Sequence, residues 1–191
     1  MSASPASSIR LAQTPAEIDA IRSLWLAYAD EVKVAACFQT LAQELAALPD
    51  PYHPPAGFLV LAGPPEAPQG CLAVGAVAPG IAELRRLYVR PESRGQSMGA
   101  QMIRYALSRM AAGDSTHLVL HTLEPMRSAR ALYAQLGFVA IPPYRPGLPV
   151  ESQSFLLPLH AGAGLDLPAI LPFPLQTPAG GLCQSPTKSA Q

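Results

Sequence analysis

Residues 84–100 read Leu84-Arg85-Arg86-Leu87-Tyr88-Val89-Arg90-Pro91-Glu92-Ser93-Arg94-Gly95-Gln96-Ser97-Met98-Gly99-Ala100. The stretch before Pro91 reads as a strand. From Met98 the apolar residues Met98, Met102, Ile103, Ala106, Leu107 and Met110 recur at the spacing of one helix face, with Gln101, Arg104, Ser108 and Arg109 on the other. A strand that turns directly into a helix leaves the first helical amides without internal partners, at the positive end of the helix dipole. Such an end can bind phosphate oxygens through backbone N–H groups. Gly95 and Gly99 let a ligand approach the main chain closely, and Arg94 adds a fixed cation. The turn is not a Walker loop, because no Gly-Lys-Ser/Thr follows, and it lacks the three spaced glycines of a dinucleotide fingerprint.

Working outward, Ile9–Ala12 reads as a short strand. Thr14-Pro15-Ala16-Glu17 then announces a helix, with Thr14 as cap, Pro15 at the first helical position and Glu17 completing a capping box. Ile18, Ile21, Trp25 and Tyr28 form its stripe. A second helix is expected over Phe38–Leu48, stopped by Pro49-Asp50-Pro51. Gly57–Ala62, Gly70–Ala78 and Ala82–Arg90 read as strands, as does His117–Leu123. Arg127–Leu136 reads as a helix closed by Gly137, and Phe138–Ile141 and Gln153–Leu159 as the last strands. The order βααβββαβαββ predicts an α/β domain with helices covering a partly antiparallel sheet.

Hydrophobic residues make up 49% of the 191, enough for one core, while only 14% are charged, against roughly 25% in an average globular protein. Thirteen basic and thirteen acidic residues cancel, which argues against a general nucleic-acid or membrane-surface binder. No run approaches a membrane span, and Met1–Ser8 lacks the basic-then-apolar pattern of a secretory leader, so a cytoplasmic location is expected. Cys37, Cys71 and Cys183 have no recognisable spacing and read as free thiols. After His160 five prolines and only two charged residues, Asp166 and Lys188, suggest a flexible tail. The expected division is a flexible N-terminus over 1–8, a folded domain over 9–160 and a tail over 161–191.

Val89-Arg90-Pro91-Glu92-Ser93-Arg94-Gly95-Gln96-Ser97-Met98-Gly99-Ala100 resembles motif A of the GNAT superfamily of acyl-CoA N-acyltransferases, Arg/Gln-x-x-Gly-x-Gly/Ala. Arg94 matches its first position and Gly99 its last, while Ser97 replaces the first glycine. Ser128-Ala129-Arg130-Ala131-Leu132-Tyr133-Ala134-Gln135-Leu136-Gly137-Phe138 is similar to the family's later helix, and Ile141-Pro142-Pro143-Tyr144 resembles a bacterial branch of it. The resemblance spans about residues 9–160. It implies a mixed, mostly antiparallel central sheet with helices on both faces.

It also implies an N-acetyltransferase using acetyl-CoA as acyl donor, without a metal, and acting on a primary amine of a small molecule or peptide by direct attack. The pantetheine arm is expected on the main chain of Leu87 and Val89, and the pyrophosphate on the amides of Arg94, Gly95, Gln96, Ser97, Met98, Gly99 and Ala100. Serine tolerates a helical N-terminal conformation, so at 97 it is expected to weaken the site rather than abolish it. Tyr133 matches the family's proton donor to the departing thiolate, and Glu83 stands where a base is often placed. Each role has a plainer competitor. Tyr133 fits the packing stripe of its helix, Glu83 fits a solvated strand charge, and Arg85, Arg86 and Arg90 fit an exposed or paired cluster. His117 and His121, four apart on one strand face, lack a third metal ligand, and His121 is a further candidate base. Cys71 reads as core. A catalytically silent CoA-binding sensor is the alternative function. Oligomeric state is unreadable, a homodimer being one open arrangement.

Overall fold

The computed structural model describes residues 8–32, 41–148, 151–160 and 163. The expectations for residues 1–7, for Cys37, Phe38 and Cys183, and for the tail apart from Ala163 lie outside the described residues. The elements run β1 (Ile9–Leu11), α1 (Pro15–Val32), α2 (Leu41–Ala47), β2 (Gly57–Ala62), β3 (Gly70–Ala78), β4 (Ile81–Val89), α3 (Met98–Met110), β5 (His117–Leu123), α4 (Arg127–Gln135), β6 (Val139–Ile141) and β7 (Ser152–Pro158). A single 3-10 turn over Pro91–Ser93 separates β4 from α3.

The capping box predicted for α1 forms in both directions. Thr14 Oγ1 accepts the Glu17 amide at 3.3 Å, and Glu17 Oε2 accepts the amides of Gln13 and Thr14 at 2.9 and 3.0 Å. Arg10 Nε donates to the other carboxylate oxygen at 2.6 Å. These donors, the Gln13 amide foremost, hold the Glu17 carboxyl down at about 2 despite its burial.

Seven strands form one sheet in the order β1-β2-β3-β4-β5-β7-β6. All neighbours are antiparallel except β4 and β5. The alternation of side chains sets a main core against each face, with a smaller cluster of Ile81, Val119, Tyr144 and Leu156 beside them. Leu59, Leu61, Cys71 and Ala73 pack with Ile21, Leu24 and Trp25 of α1 and with Leu41 of α2. Val60, Leu72, Val74, Leu84, Leu118 and Leu120 pack with Met102, Ile103 and Ala106 of α3 and Tyr133 of α4. Helices thus cover both faces of a mostly antiparallel sheet. Burial pushes the Cys71 thiol up to about 12, which suits its place in the core.

Two irregularities shape the middle of the sheet. The β3–β4 register runs Ala73↔Arg85 and then Cys71↔Tyr88, so β4 carries one extra residue, and Arg86 takes the left-handed φ of 55°. The bulge reverses the alternation of β4. Ala82 and Leu84 face α3 before it, whereas Leu87 and Val89 do so after it. Arg85 and Arg86, though consecutive, therefore reach the same carboxylate, Glu44 of α2, at 3.2 and 2.9 Å. The second irregularity is that β4 and β5 pair only over Ile81↔His117, Ala82↔Leu118 and Glu83↔Val119. Beyond Glu83 the two strands part.

Candidate active site

The gap between β4 and β5 opens into a cleft of about 760 Å³. Leu87 and Val89 line one wall, Thr122 and the α4 residues Ala129, Leu132 and Tyr133 the other, and Tyr28 and Glu31 of α1 reach its edge. The α3 turn closes one end through Gly95, Ser97, Met98, Gly99 and Ala100.

The local chain explains why this turn is rich in free donors. The 3-10 turn consumes the Arg94 amide on the Pro91 carbonyl at 3.2 Å, and the first amide to bond within α3 is that of Gln101, to Ser97 at 3.0 Å. The six amides from Gly95 to Ala100 between them have no acceptor among the described residues. The donor run thus begins one residue later than the sequence suggested. Gln96 is exposed and does not line the cleft, and its carbonyl takes the Gln101 side-chain amide.

Ser97 departs from expectation. It has φ 56° and ψ 20°, the left-handed region, and its hydroxyl makes no capping bond. The glycine of the motif is explained by this conformation, since a Cβ is disfavoured there. At Gly95 (φ 81°) a Cβ would meet nothing within 4 Å, so the turn is open on its cleft side. These features fit a diphosphate: unpaired donors, open space above them and a helix N-terminus.

Arg94 is engaged by protein groups. Its Nη2 straddles the two Glu31 carboxylate oxygens at 2.7 and 2.8 Å, and its Nε donates to the Val89 carbonyl at 2.9 Å. Glu31 also accepts from the Tyr88 hydroxyl at 3.1 Å. Tyr133 is buried, its ring packed 5.7 Å from Phe138 and 6.0 Å from Phe155, yet it borders the cleft. The packing and cleft readings therefore hold together. Burial, with the Tyr28 phenol nearby, pushes its hydroxyl well up, so it stays protonated.

A small side pocket of about 60 Å³ adjoins the cleft, sharing Tyr28, Arg86, Thr122 and Met126 with it and adding Arg85, His121 and Leu123. Glu83, the last paired residue of the β4–β5 fork, contacts two of the pocket's lining residues, Arg85 and His121. The Tyr144 hydroxyl donates to Glu83 Oε1 in a close contact, Arg145 and His121 Nδ1 lie at 3.3 Å, and Arg85 Nε at 3.8 Å from the other oxygen. Burial opposes its charge, but His121, Arg85, Arg145 and Tyr144 outweigh it and hold the carboxyl at about 2. Glu83 is a buried anion, not a solvated strand charge, and so acidic a carboxyl is a poor proton acceptor at neutral pH. His117 is buried at the start of β5 beside the Thr116 hydroxyl. No group of three metal-ligating side chains occurs among the described residues, nor is any described helix long and apolar enough to cross a membrane.

Sequence reasoning missed Tyr28, Glu31, Thr122 and Met126 as cleft residues. Only Tyr28 carried a signal, on the α1 stripe.

Comparison with known proteins matches this geometry. The sequence profile of the acetyltransferase (GNAT) family matches residues 18–138. An uncharacterized N-acetyltransferase of Schizosaccharomyces pombe is 33% identical over 139 residues, 72% of this chain and 85% of that protein. A crystal structure assigned to an acyl-CoA N-acyltransferase of Klebsiella pneumoniae superimposes with a TM-score of 0.64 at 25% identity, over 81% of this chain and 98% of that one. The PaiA N-acetyltransferase of Thermoplasma acidophilum, solved with coenzyme A, shares the fold at 15% identity and a TM-score of 0.61, over 79% and 99% of the two chains. A forked sheet, an unpaired amide turn and a profile covering most of the domain lead to one conclusion: the chain belongs to the GNAT acetyltransferase family and is an acyl-CoA-dependent N-acyltransferase.

Proposed function

We propose that the protein transfers the acetyl group of acetyl-CoA to a primary amine of a small molecule or peptide that enters from the side pocket. The observation that carries this reading is the row of six unpaired amides at one end of a cleft that continues, along the unpaired edge of β4, to that pocket. The thioester supplies an activated carbonyl, and a primary amine needs only to be brought to it deprotonated. That coenzyme A is held by the PaiA enzyme of the same fold supports the choice of donor.

The residues divide the work. The amides of Gly95–Ala100 bind the diphosphate without a metal, and Arg94 adds a cation at the rim. The main-chain edge of Leu87 and Val89 takes the extended arm, although Arg94 already occupies the Val89 carbonyl. Tyr133 keeps its proton and borders the cleft, so it is placed to protonate a departing thiolate. The domain so used is residues 9–160.

Acetyl-CoA should raise the melting temperature, and a panel of primary amines should release free thiol. Tyr133→Phe should lower kcat by about 10²-fold, the low end for general acid catalysis, with the acetyl-CoA Kd unchanged. Stabilisation by acetyl-CoA with no thiol released from any amine would overturn catalysis in favour of a CoA-binding sensor. No stabilisation at all would overturn the cofactor assignment.

A further inference from the structure

We propose that His121 is the proton acceptor for the incoming amine, with Glu83 and Tyr144 as its positioning residues; the inference rests on the amine-acetylating function proposed above. Three segments remote in sequence converge here. Glu83 closes the paired part of β4, His121 lies on β5 two residues past Val119, the last residue paired with β4, and Tyr144 follows β6. His121 Nδ1 is 3.1 Å from the Tyr144 oxygen and 3.3 Å from Glu83 Oε1. The Tyr144 proton is committed to Glu83, so both neighbours of Nδ1 are acceptors. Nδ1 must therefore carry the hydrogen, which leaves the lone pair on Nε2.

That nitrogen has no protein partner among the described residues, and the ring lines the side pocket that opens into the cleft. Opposite His121 on β7 stands Ser154, buried, with its hydroxyl also unpartnered. A cross-strand pair of this kind faces the same side of the sheet. Ser154 Oγ is thus, among the described residues, a buried polar group without a partner on the His121 face of the sheet.

The surrounding charge favours the same event. Arg85 and Arg86 from β4 and Arg145 from the loop after β6 stand against the carboxylates of Glu83 and of Glu44 from α2. Three cations against two anions disfavour an ammonium in the pocket and help it release a proton. Glu83 does not take that proton itself, since its Oε1 already accepts from Tyr144 and Arg145 and the Arg85 guanidinium stands 3.8 Å from its Oε2. The step balances. One ammonium proton passes to Nε2, and the freed lone pair forms the C–N bond as the C–S bond breaks. The second proton lost from nitrogen is matched by the one sulfur takes up, and the imidazolium returns its proton to solvent.

The test, run at an alkaline pH above the hydrazinium pKa and below that of the alkylammonium, compares a strongly basic alkylamine with hydrazine, which is largely neutral there. His121→Gln should lose about 100-fold in kcat/KM with the alkylamine but no more than a few-fold with hydrazine. Its thermal shift with acetyl-CoA should match wild type. Glu83→Gln and Tyr144→Phe should show the same amine-selective loss at smaller size, about tenfold, and provide the readout should His121→Gln fail to fold. Added imidazole should restore part of the alkylamine rate to His121→Ala. Equal losses with both amines, or none, in a protein whose wild type is active would overturn the role of His121 alone. A wild type that binds acetyl-CoA and acetylates no amine would overturn the proposed function, and this inference with it.

Discussion

Ser97→Gly tests the turn at its least comfortable point. Ser97 occupies φ 56° and ψ 20° without any hydrogen bond from its hydroxyl to offset the conformation. A non-glycine residue in the left-handed region costs about 1–2 kcal/mol. Glycine removes that cost but returns roughly 0.4–1 kcal/mol of conformational freedom to the unfolded chain. The net gain is about 0.5–1 kcal/mol, which in a domain of this size raises Tm by about 1–4 °C. Gly95→Ser is the matched control. Gly95 has φ 81° with empty space where a Cβ would stand, so the substitution adds backbone strain without a clash and should lower Tm by a similar amount. Differential scanning fluorimetry of the three proteins, with and without acetyl-CoA, reads both effects. A Ser97→Gly protein that melts lower than wild type, or a Gly95→Ser protein that melts higher, would refute the assignment of strain to this turn.

Other substitutions probe neighbouring parts. Glu31→Gln should release Arg94 toward an anionic ligand and tighten acetyl-CoA binding by up to about fivefold at low salt, the reach of an exposed ion pair; weaker binding by calorimetry would contradict this. Gly99→Asp places a carboxylate beside the amide row, where a Cβ has 3.3 Å to Leu132 Cδ2. It should raise the acetyl-CoA Kd at least tenfold while the fold persists by circular dichroism. Glu17 has its carboxyl lowered from 4.5 to about 2 on folding, so its contribution is complete above pH 4.5 and is lost as pH falls toward 2. Discounted for solvent screening at this helix end, that contribution is worth about 1–2 kcal/mol. Glu17→Gln should destabilise at pH 7 and the deficit should shrink at pH 3 in urea titrations, whereas a deficit independent of pH would count against the capping carboxylate as its source.

The parts of this molecule governed by neighbouring residues were readable in advance. Thr14 and Glu17 announced α1 because a capping box is a four-residue device, and the Met98–Met110 stripe announced α3 because its period is local. Strand ends were displaced by a residue, as at β4 and β7, where pairing with a distant partner sets the limit. What stayed hidden depends on the sheet. The bulge at Arg86 arises from register against β3, and without it Arg85 and Arg86 read as opposite-facing residues. Glu83 and Tyr144 lie 61 residues apart, and only the topology that sets β5 between β4 and β7 brings His121 to both. Arg94 carried the sign of a phosphate ligand, but its attachment to Glu31 joins α1 to the turn across 63 residues.

The brief pairing of β4 with β5 has a mechanical consequence. Mechanically, two slabs, β1 to β4 and β5 with β7 and β6, are stitched at one end by a seam three residues long. Past that seam each slab presents a raw edge to the other. A long extended ligand lying in the wedge would act as the missing strand and fasten what the polypeptide leaves open. Its occupancy would then stiffen the sheet at the fork, and the amides of Leu87 and of the last residues of β5 are where hydrogen exchange would register the fastening.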